Sequence, residues 1–482
     1  MKYSVAVILA TTTFAYEIPI PTKYQLAYQQ QEIVALIHFN MATFVQDGDP
    51  GCTSENWLEK SANPLTFKPT ELDVNNWADS MDDVGISSAV LTAKHGCGFS
   101  IWQTDAVLPS GSPYTYKVGT PELDVIDQFS SVMEERGIGH GFYYSLTNNF
   151  YLNVCLMNAG CVSDPLPGQL NVTQDEYHTI VVSQVTELWT KYGHLTEIWF
   201  DGGFDGDLKT LLLPILKEHQ PNVIGMNGGK LVESAARWVG TESEGMPLEL
   251  FPNGVFSTYC CNASDPVCVV SHSDGCSLND GDDQSAAPYG GAGCIGEGCD
   301  DFYPAGLDWT LQENDVWFWE PDLPLRSLDV MKQTYHDSVG RNTVLELAFS
   351  IDQRGKIDEG HADLYKEFGG WIRKCYGEDN SVGLITGQPG VSSYTVTYAE
   401  SVDRIVIRED QTKGQRIKSF TITNVDSGQE LVSGDGIGNK RIELLGGETA
   451  EGATFRFDFV SFDEESFPVS IKKIAGYKRL NC

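Results

Sequence analysis

The sequence predicts an α/β protein, a (β/α)8-type barrel followed by a C-terminal antiparallel β-sandwich. Three observations lead there. From about residue 30 to 375, short apolar runs alternate with helical periods, the pattern of a parallel sheet with crossover helices. No Gly-rich phosphate loop follows the first run, which weighs against a doubly wound open sheet. After Gly377 the helical periods stop, and short runs separated by Gly- and Asp-containing turns take over. A chain of 482 residues has room for one large domain and a smaller one. The boundaries read from it are 1–15 (a leader), 16–377 (the barrel, with a cysteine-rich insertion near 260–300) and 378–482 (the sandwich).

In chain order, the barrel strands are expected at 33–38, 86–93, 138–144, 195–201, 223–226, 237–240 and 344–350. Each is a brief apolar run, and several end in polar groups or glycine. Residues 72–84, 125–136, 177–192 and 208–219 space their apolar side chains along one helix face. The sandwich strands are expected at 393–398, 403–408, 419–423, 441–445, 454–459 and 468–473. No run is long enough to span a membrane.

Charge and cysteines narrow the setting. Against 32 Lys and Arg stand 67 Asp and Glu, a net charge of −35. So acidic a surface repels nucleic acid and anionic membranes, and neither is expected as a partner. It suits work at acidic pH. Of the 12 cysteines, Cys260, Cys261, Cys268, Cys276, Cys294 and Cys299 crowd into a stretch rich in Gly, Ser and Asp. Disulfides and zinc compete for that pattern. No Cys-x2-Cys pair or His-x3-His spacing is present and His272 stands alone, so a disulfide-stapled loop is expected, with no metal and no cofactor. Cys155 and Cys161 are placed to close a second small loop; Cys52, Cys97, Cys375 and Cys482 take no partner from the sequence. Lys2, the apolar run 5–10 and Thr13-Phe14-Ala15 resemble a secretory leader cleaved after Ala15, so an extracellular destination is expected. Asn171-Val-Thr173 and Asn262-Ala-Ser264 would then accept N-glycans.

The strand ends carry the chemistry. Leu195-Thr-Glu-Ile-Trp-Phe-Asp201 is an apolar run that stops at a carboxylate and two glycines. A carboxylate at a buried strand tip is costly unless something uses or pairs it. The same Asp fits a turn cap ahead of Gly202, and the rest of the chain separates the two readings. The first strand ends in His38-Phe-Asn40 and the second in Lys94-His95-Gly96. In a barrel of this kind all three tips meet at one rim, where catalytic groups sit. Trp57, Trp102, Tyr143 and Trp199 each fit a core position, but together beside His and carboxylate they suit a sugar, whose apolar faces stack on rings. A second carboxylate is offered by Arg237-Trp-Val-Gly-Thr-Glu242-Ser-Glu244; glycosidases that retain configuration place two about 5–5.5 Å apart. Arg237 would lie near these acids and lower the nucleophile's pKa.

Ile37-His-Phe-Asn40…Thr43-Phe44, Leu91-Thr-Ala-Lys-His95…Gly98-Phe99…Trp102, Glu197-Ile-Trp-Phe-Asp-Gly202 and Arg237-Trp-Val-Gly-Thr-Glu242 resemble the α-L-fucosidases of glycoside hydrolase family 29. Val339-Gly-Arg-Asn342, Arg354-Gly355, the stretch 403–416 and Ile437-Gly-Asn-Lys-Arg441 extend the resemblance into the C-terminal part, so that it runs in order from about residue 30 to 445. The resemblance implies a retaining exo-α-L-fucosidase acting on fucosylated carbohydrate. Asp201 is then the nucleophile and Glu242, in a Gly-x-Glu motif, the acid/base, with Glu244 and Glu249 open. His38, Glu55, Trp57, His95, Tyr143, Trp199 and Arg237 match positions that hold or shape the fucose pocket, and Trp102 completes the matched His95 segment.

Two departures stand out. The family's His-His pair reads His95-Gly96, and a Pro-Ala-Glu-x-Asp motif reads Pro304-Ala-Gly306-Leu-Asp308, with one carboxylate fewer. Those losses leave a fucose-binding protein on a degenerate scaffold as the alternative. The cysteine-rich insertion follows 237–245 directly and is expected to border the aglycone side of the pocket; a surface excursion remote from the site is the other reading.

Overall fold

The computed structural model describes residues 17–46, 48, 50–229, 231–240, 255–259, 301–446, 449 and 451–478. Among them, eight parallel strands close a barrel. In chain order these are β1 (Ile33–His38), β2 (Ser88–Lys94), β3 (Gly139–Tyr144), β4 (Glu197–Trp199), β5 (Ile224–Met226), β6 (Ser234–Trp238), β7 (Ala305–Trp309) and β8 (Thr343–Ser350). Each lies beside its chain neighbours, and β8 closes on β1 with Ile33 opposite Leu345 through His38 opposite Ser350. Helices α1 (Lys23–Gln31), α2 (Val74–Val84), α3 (Val125–Arg136), α4 (Gln174–Lys191), α5 (Gly206–His219), α6 (Leu328–Asp337) and α7 (Glu359–Tyr376) accompany them. Local signals start these helices where they start. Thr22 and Thr173 form capping boxes with Gln25 and Glu176, and Asp73, Asp124, Asp205, Ser327 and Asp358 each cap a first turn with a side-chain oxygen.

Strand alternation sorts the barrel into two cores. One face of each strand packs outward against the helices, through residues such as Ala35, Leu91, Phe142, Ile198, Leu307 and Leu345. The other face fills the interior with Val34, Leu36, Val90, Tyr143, Trp199, Ile224, Met226, Ala236, Trp238, Val344 and Ala348. The interior is therefore packed, and chemistry is confined to the strand tips.

Beyond α7, eight strands form two four-stranded antiparallel sheets. Ser381–Thr386, Ile471–Lys478, Val402–Glu409 and Arg441–Leu444 make one; Ser393–Thr397, Thr454–Ser461, Ile417–Asn424 and Glu430–Asp435 make the other. Phe420, Phe455, Phe457, Ile405, Ile407 and Ile474 fill the space between them.

Barrel and sandwich are joined by polar contacts. Glu32, just after α1, takes Lys440 Nζ at 2.7 Å and Tyr335 Oη at 2.9 Å on one carboxylate oxygen and Arg408 on the other. Ser257 is held from both sides: its Oγ accepts from Gln29, Asn342 and Gln411, and its backbone N–H donates to Gln415 Oε1 at 2.6 Å. Asn342 also donates to the Val255 carbonyl at 2.8 Å and accepts from the backbone of Asn439 at 2.7 Å.

Several expectations change here. β7 was not foreseen as a strand, because Gly306 and Asp308 interrupt its apolar pattern. β4 is only three residues long, so Asp201 sits in the turn beyond it rather than in the strand. β6 begins earlier than expected, at Ser234. In the sandwich, Ser381–Thr386 and Glu430–Asp435 were missed; both are largely exposed and lack a strong apolar face. The described cysteines pair as Cys52–Cys97, which the sequence left open, and Cys155–Cys161, as expected; Cys375 is also disulfide-bonded. The cysteine-rich stretch from Cys260 to Cys299 lies outside the described residues. No helix among the described residues is long and apolar enough to cross a membrane.

Candidate active site

Four of the expected residues meet at the strand tips. Tyr143, on the inward face of β3, donates its hydroxyl to Asp201 Oδ2 at 2.5 Å. His95, just past β2, stacks on the Tyr143 ring with centroids 5.2 Å apart and an interplanar angle of 16°. His38, the last residue of β1, sets its ring 6.2 Å from His95 and 6.4 Å from Tyr143. Asp201 is half-buried in a turn that requires glycine next: Gly202 has φ +67°, and a Cβ there would fall 2.5 Å from Thr147 Cγ2. Trp199, the last residue of β4 and on its inward face, lies edge-to-face with Trp238 at 5.6 Å, and Trp238 Nε1 donates to Asp308 Oδ1 at 2.6 Å.

Burial sets the charges. It holds the His38 imidazole well below its usual range, and the neighbouring His95 adds to the effect. His95 is brought down to about 4: burial dominates, Asp201 pulls up and Lys94 pushes down. Both rings are therefore neutral near neutral pH, able to donate from one nitrogen and accept at the other, as sugar hydroxyls require. Lys94 is fully buried, and burial lowers it to about 7; its Nζ donates to the Asn148 carbonyl at 2.8 Å and lies over the Tyr144 ring.

Two aromatic residues join the site that the sequence reading did not name. Trp317 packs on His38 at 4.8 Å, and Phe318 meets both His38 (5.1 Å) and His95 (5.2 Å). Their loop is braced by Gln312, which donates to the Val316 and Phe318 carbonyls, and by Ser350, which donates to that of Trp317. The signal was present as Val316-Trp-Phe-Trp319, an aromatic run beyond a barrel strand. Asn227, just past the end of β5, holds φ +55°, and its buried Oδ1 has no hydrogen-bond partner among the described residues.

Trp102, Trp57, Glu55 and Arg237 are not brought into contact with His38, His95, Tyr143 and Asp201 by any described hydrogen bond or ring contact. Trp102 is buried in the outer core, and its Nε1 donates to Glu187 Oε2 of α4 at 2.8 Å, so it supports the barrel wall rather than the pocket. Trp57 packs on Tyr116 and Phe150, with its Nε1 on the Pro167 carbonyl, which makes it a core residue too. Glu55 is exposed. Arg237 is fully buried on the β6 face opposite to Ala236 and Trp238, and its guanidinium reaches the carbonyls of Tyr303 (3.2 Å) and Phe256 (2.6 Å). It fixes backbone on the outer side of β6. Glu242, Glu244 and Glu249 lie outside the described residues. Gly96, where the family pattern has a second His, is closely packed: a Cβ there would lie 3.0 Å from Pro50 Cβ.

The sequence model of the family described as alpha-L-fucosidase matches residues 38–285, from the tip of β1 past β6. The chain belongs to the α-L-fucosidase family. As a fucosidase it is a glycoside hydrolase, and its substrates are fucosylated glycans. It is 26% identical over 473 residues to alpha-L-fucosidase 1 of Arabidopsis thaliana, a match covering 88% of this chain and 81% of that one. A Bacteroides thetaiotaomicron structure described as an α-L-fucosidase superposes with a TM-score of 0.73 at 25% identity, covering 96% of the fucosidase and all of the other chain. A Ruminococcus gnavus GH29 fucosidase in complex with fucose shares the fold, with a TM-score of 0.72 at 19% identity and 95% of each chain covered.

The Tyr143–Asp201 contact invites a direct test. Tyr143→Phe removes a hydrogen bond to a carboxylate but keeps the ring that His95 stacks on. A hydrogen bond to a charged group is worth about 1.5–3 kcal/mol, so kcat on an aryl α-L-fucoside should fall about 10- to 100-fold. KM and Tm should change little. A change confined to KM would assign the hydroxyl to the sugar instead.

Proposed function

We propose that this fucosidase is a secreted, retaining exo-enzyme that works through a covalent fucosyl-enzyme intermediate. The observation that carries this reading is the Tyr143–Asp201 contact at the barrel rim: the phenol donates to Asp201 Oδ2 and holds the carboxylate beside His95, at the strand tips. Asp201 Oδ bonds to the anomeric carbon as the bond to the leaving oxygen breaks, and Glu242 gives that oxygen its proton. Glu242 then takes a proton from water as the water displaces Asp201, so that configuration is kept overall. His38, His95 and Trp199 line the sugar, and Trp317 and Phe318 supply apolar surface beside the two imidazoles. The disulfides and the leader-like N-terminus support an oxidising, extracellular destination.

The first product of aryl α-L-fucoside hydrolysis decides the mechanism. Proton NMR should show α-L-fucose before mutarotation; β-L-fucose formed first, or no turnover at all, would overturn the proposal. Glu242→Ala should slow substrates with poor leaving groups most, because they need a proton on the departing oxygen. Azide should restore turnover of an activated aryl fucoside by replacing the base-assisted water. Rescue at Glu244 or Glu249 in place of Glu242 would move the assignment.

A further inference from the structure

Below the site, the barrel interior holds two carboxyl groups that the reaction does not use. Glu197 of β4 and Glu346 of β8 are 1% and 0% exposed. They sit on the inward faces, where a charge would normally find a cation or a ring of donors. Glu346 Oε1 accepts from Tyr28 Oη of α1 at 2.7 Å. Glu346 Oε2 and Glu197 Oε1 have no donor among the described residues, yet the two side chains are within hydrogen-bonding reach of each other. Two carboxylates cannot bond to one another, whereas a carboxylic acid and a carboxylate can.

Gly306 on β7 explains how Glu346 is accommodated. A Cβ at Gly306 would fall 2.3 Å from Met226 Cε, 2.4 Å from Tyr28 Oη and 3.0 Å from Glu346 Oε1. Asp308 lies opposite Glu346 in the register of β7 and β8.

We propose that Glu197 and Glu346 share one proton across the barrel axis, and that this bridge is a positioning device for the nucleophile. Glu197 and Trp199 share the inward face of β4, and the turn that carries Asp201 begins two residues beyond Trp199, so the bridge anchors the root of the short strand that leads into that turn. The role in turnover rests on Asp201 being the nucleophile; the shared proton itself does not. The titratable groups facing the pair are Tyr28 from α1 and Asp308 from β7, and no cation is paired with it among the described residues. Burial pushes both carboxyl groups up. An acid raised in the folded state stabilises the fold most below its unfolded pKa, and that contribution fades as pH rises.

The test compares Glu346→Gln with Glu346→Leu in the full chain. Gln supplies an N–H to the Glu197 carboxylate and so imitates the single-proton pair; Leu fills similar space with no donor. Glu346→Leu should lower kcat at least about 10-fold with KM within about 2-fold, and Gln should recover most of that loss. Urea midpoints of the wild type should fall between about pH 5 and 8, and Glu346→Gln should flatten that slope. Should Glu346→Leu fail to fold, Glu197→Leu against Glu197→Gln provides the same comparison from the other strand. Parallel slopes in wild type and both Gln variants would overturn the shared proton. A flattened slope with unchanged kcat in Glu346→Leu would overturn only the positioning role, whatever a fucosyl label shows at Asp201.

Discussion

Asp201→Asn should lower turnover of an aryl α-L-fucoside by at least about 10³-fold, roughly 4 kcal/mol of transition-state stabilisation, while leaving Tm unchanged. The amide is nearly isosteric and still accepts from Tyr143 Oη, so the half-buried turn keeps its contacts. What it lacks is a charge to develop a bond at the anomeric carbon. Asp201→Ala leaves a small gap on that face of the sugar, and azide entering it should give a fucosyl azide of inverted configuration, because one displacement replaces two. A mechanism-based fucosyl label should attach at Asp201, as peptide mapping can show. A variant with a large share of the wild-type rate, or a label on another residue, would remove Asp201 from the chemistry.

Glu32→Ala should cost about 3–5 kcal/mol of stability, the largest loss expected from a single residue far from the site. Glu32 caps α1 with φ +63°, a conformation that non-glycine residues rarely hold without compensation. The compensation is its carboxylate, 18% exposed, bonded to Lys440, Arg408 and Tyr335. Burial alone would raise this carboxyl; Lys440 and Arg408 outweigh burial and hold it at about 2. A carboxyl lowered in the folded state stabilises above its unfolded pKa, near 4.5, and loses that contribution as pH falls towards 2. The shift corresponds to about 3 kcal/mol. Urea unfolding at pH 7 should therefore show the full loss in Glu32→Ala, and acid titration should show the wild type falling through that window while the variant changes far less. Equal acid slopes would place the stabilisation elsewhere.

Much of the architecture is legible locally. All but one of the barrel strands announce themselves as apolar runs between amphipathic helices, and β1 and α3 match their expected bounds. β7 does not, because the reason for Gly306 lies on another strand, in Glu346. The site divides in the same way. His38, His95 and Asp201 are readable as polar residues ending apolar runs. The Tyr143–Asp201 bond joins residues 58 apart and emerges only when β3 and β4 lie side by side. Trp57 and Trp102 looked like stacking platforms because an indole in a core and an indole in a pocket have the same sequence signature; partners on Pro167 and Glu187 decide between them. Arg237 is a matter of parity: alternation along β6 turns it away from the interior that Trp238 enters.

The grip on Ser257 limits how this protein can be taken apart. Arg237 takes the Phe256 carbonyl from the barrel side, and Gln411 and Gln415 take the next residue from the sandwich side. A barrel cut off after Tyr376 would surrender these amide donors and acceptors along with the Glu32 cations, and expose a seam of polar backbone that water fills only loosely. The two parts are thus poor candidates for shuffling as interchangeable cassettes. A chimera that brings in a foreign C-terminal half needs glutamines at the places of Gln411 and Gln415 and a cation pair at those of Arg408 and Lys440 before its catalytic rim has a fixed footing.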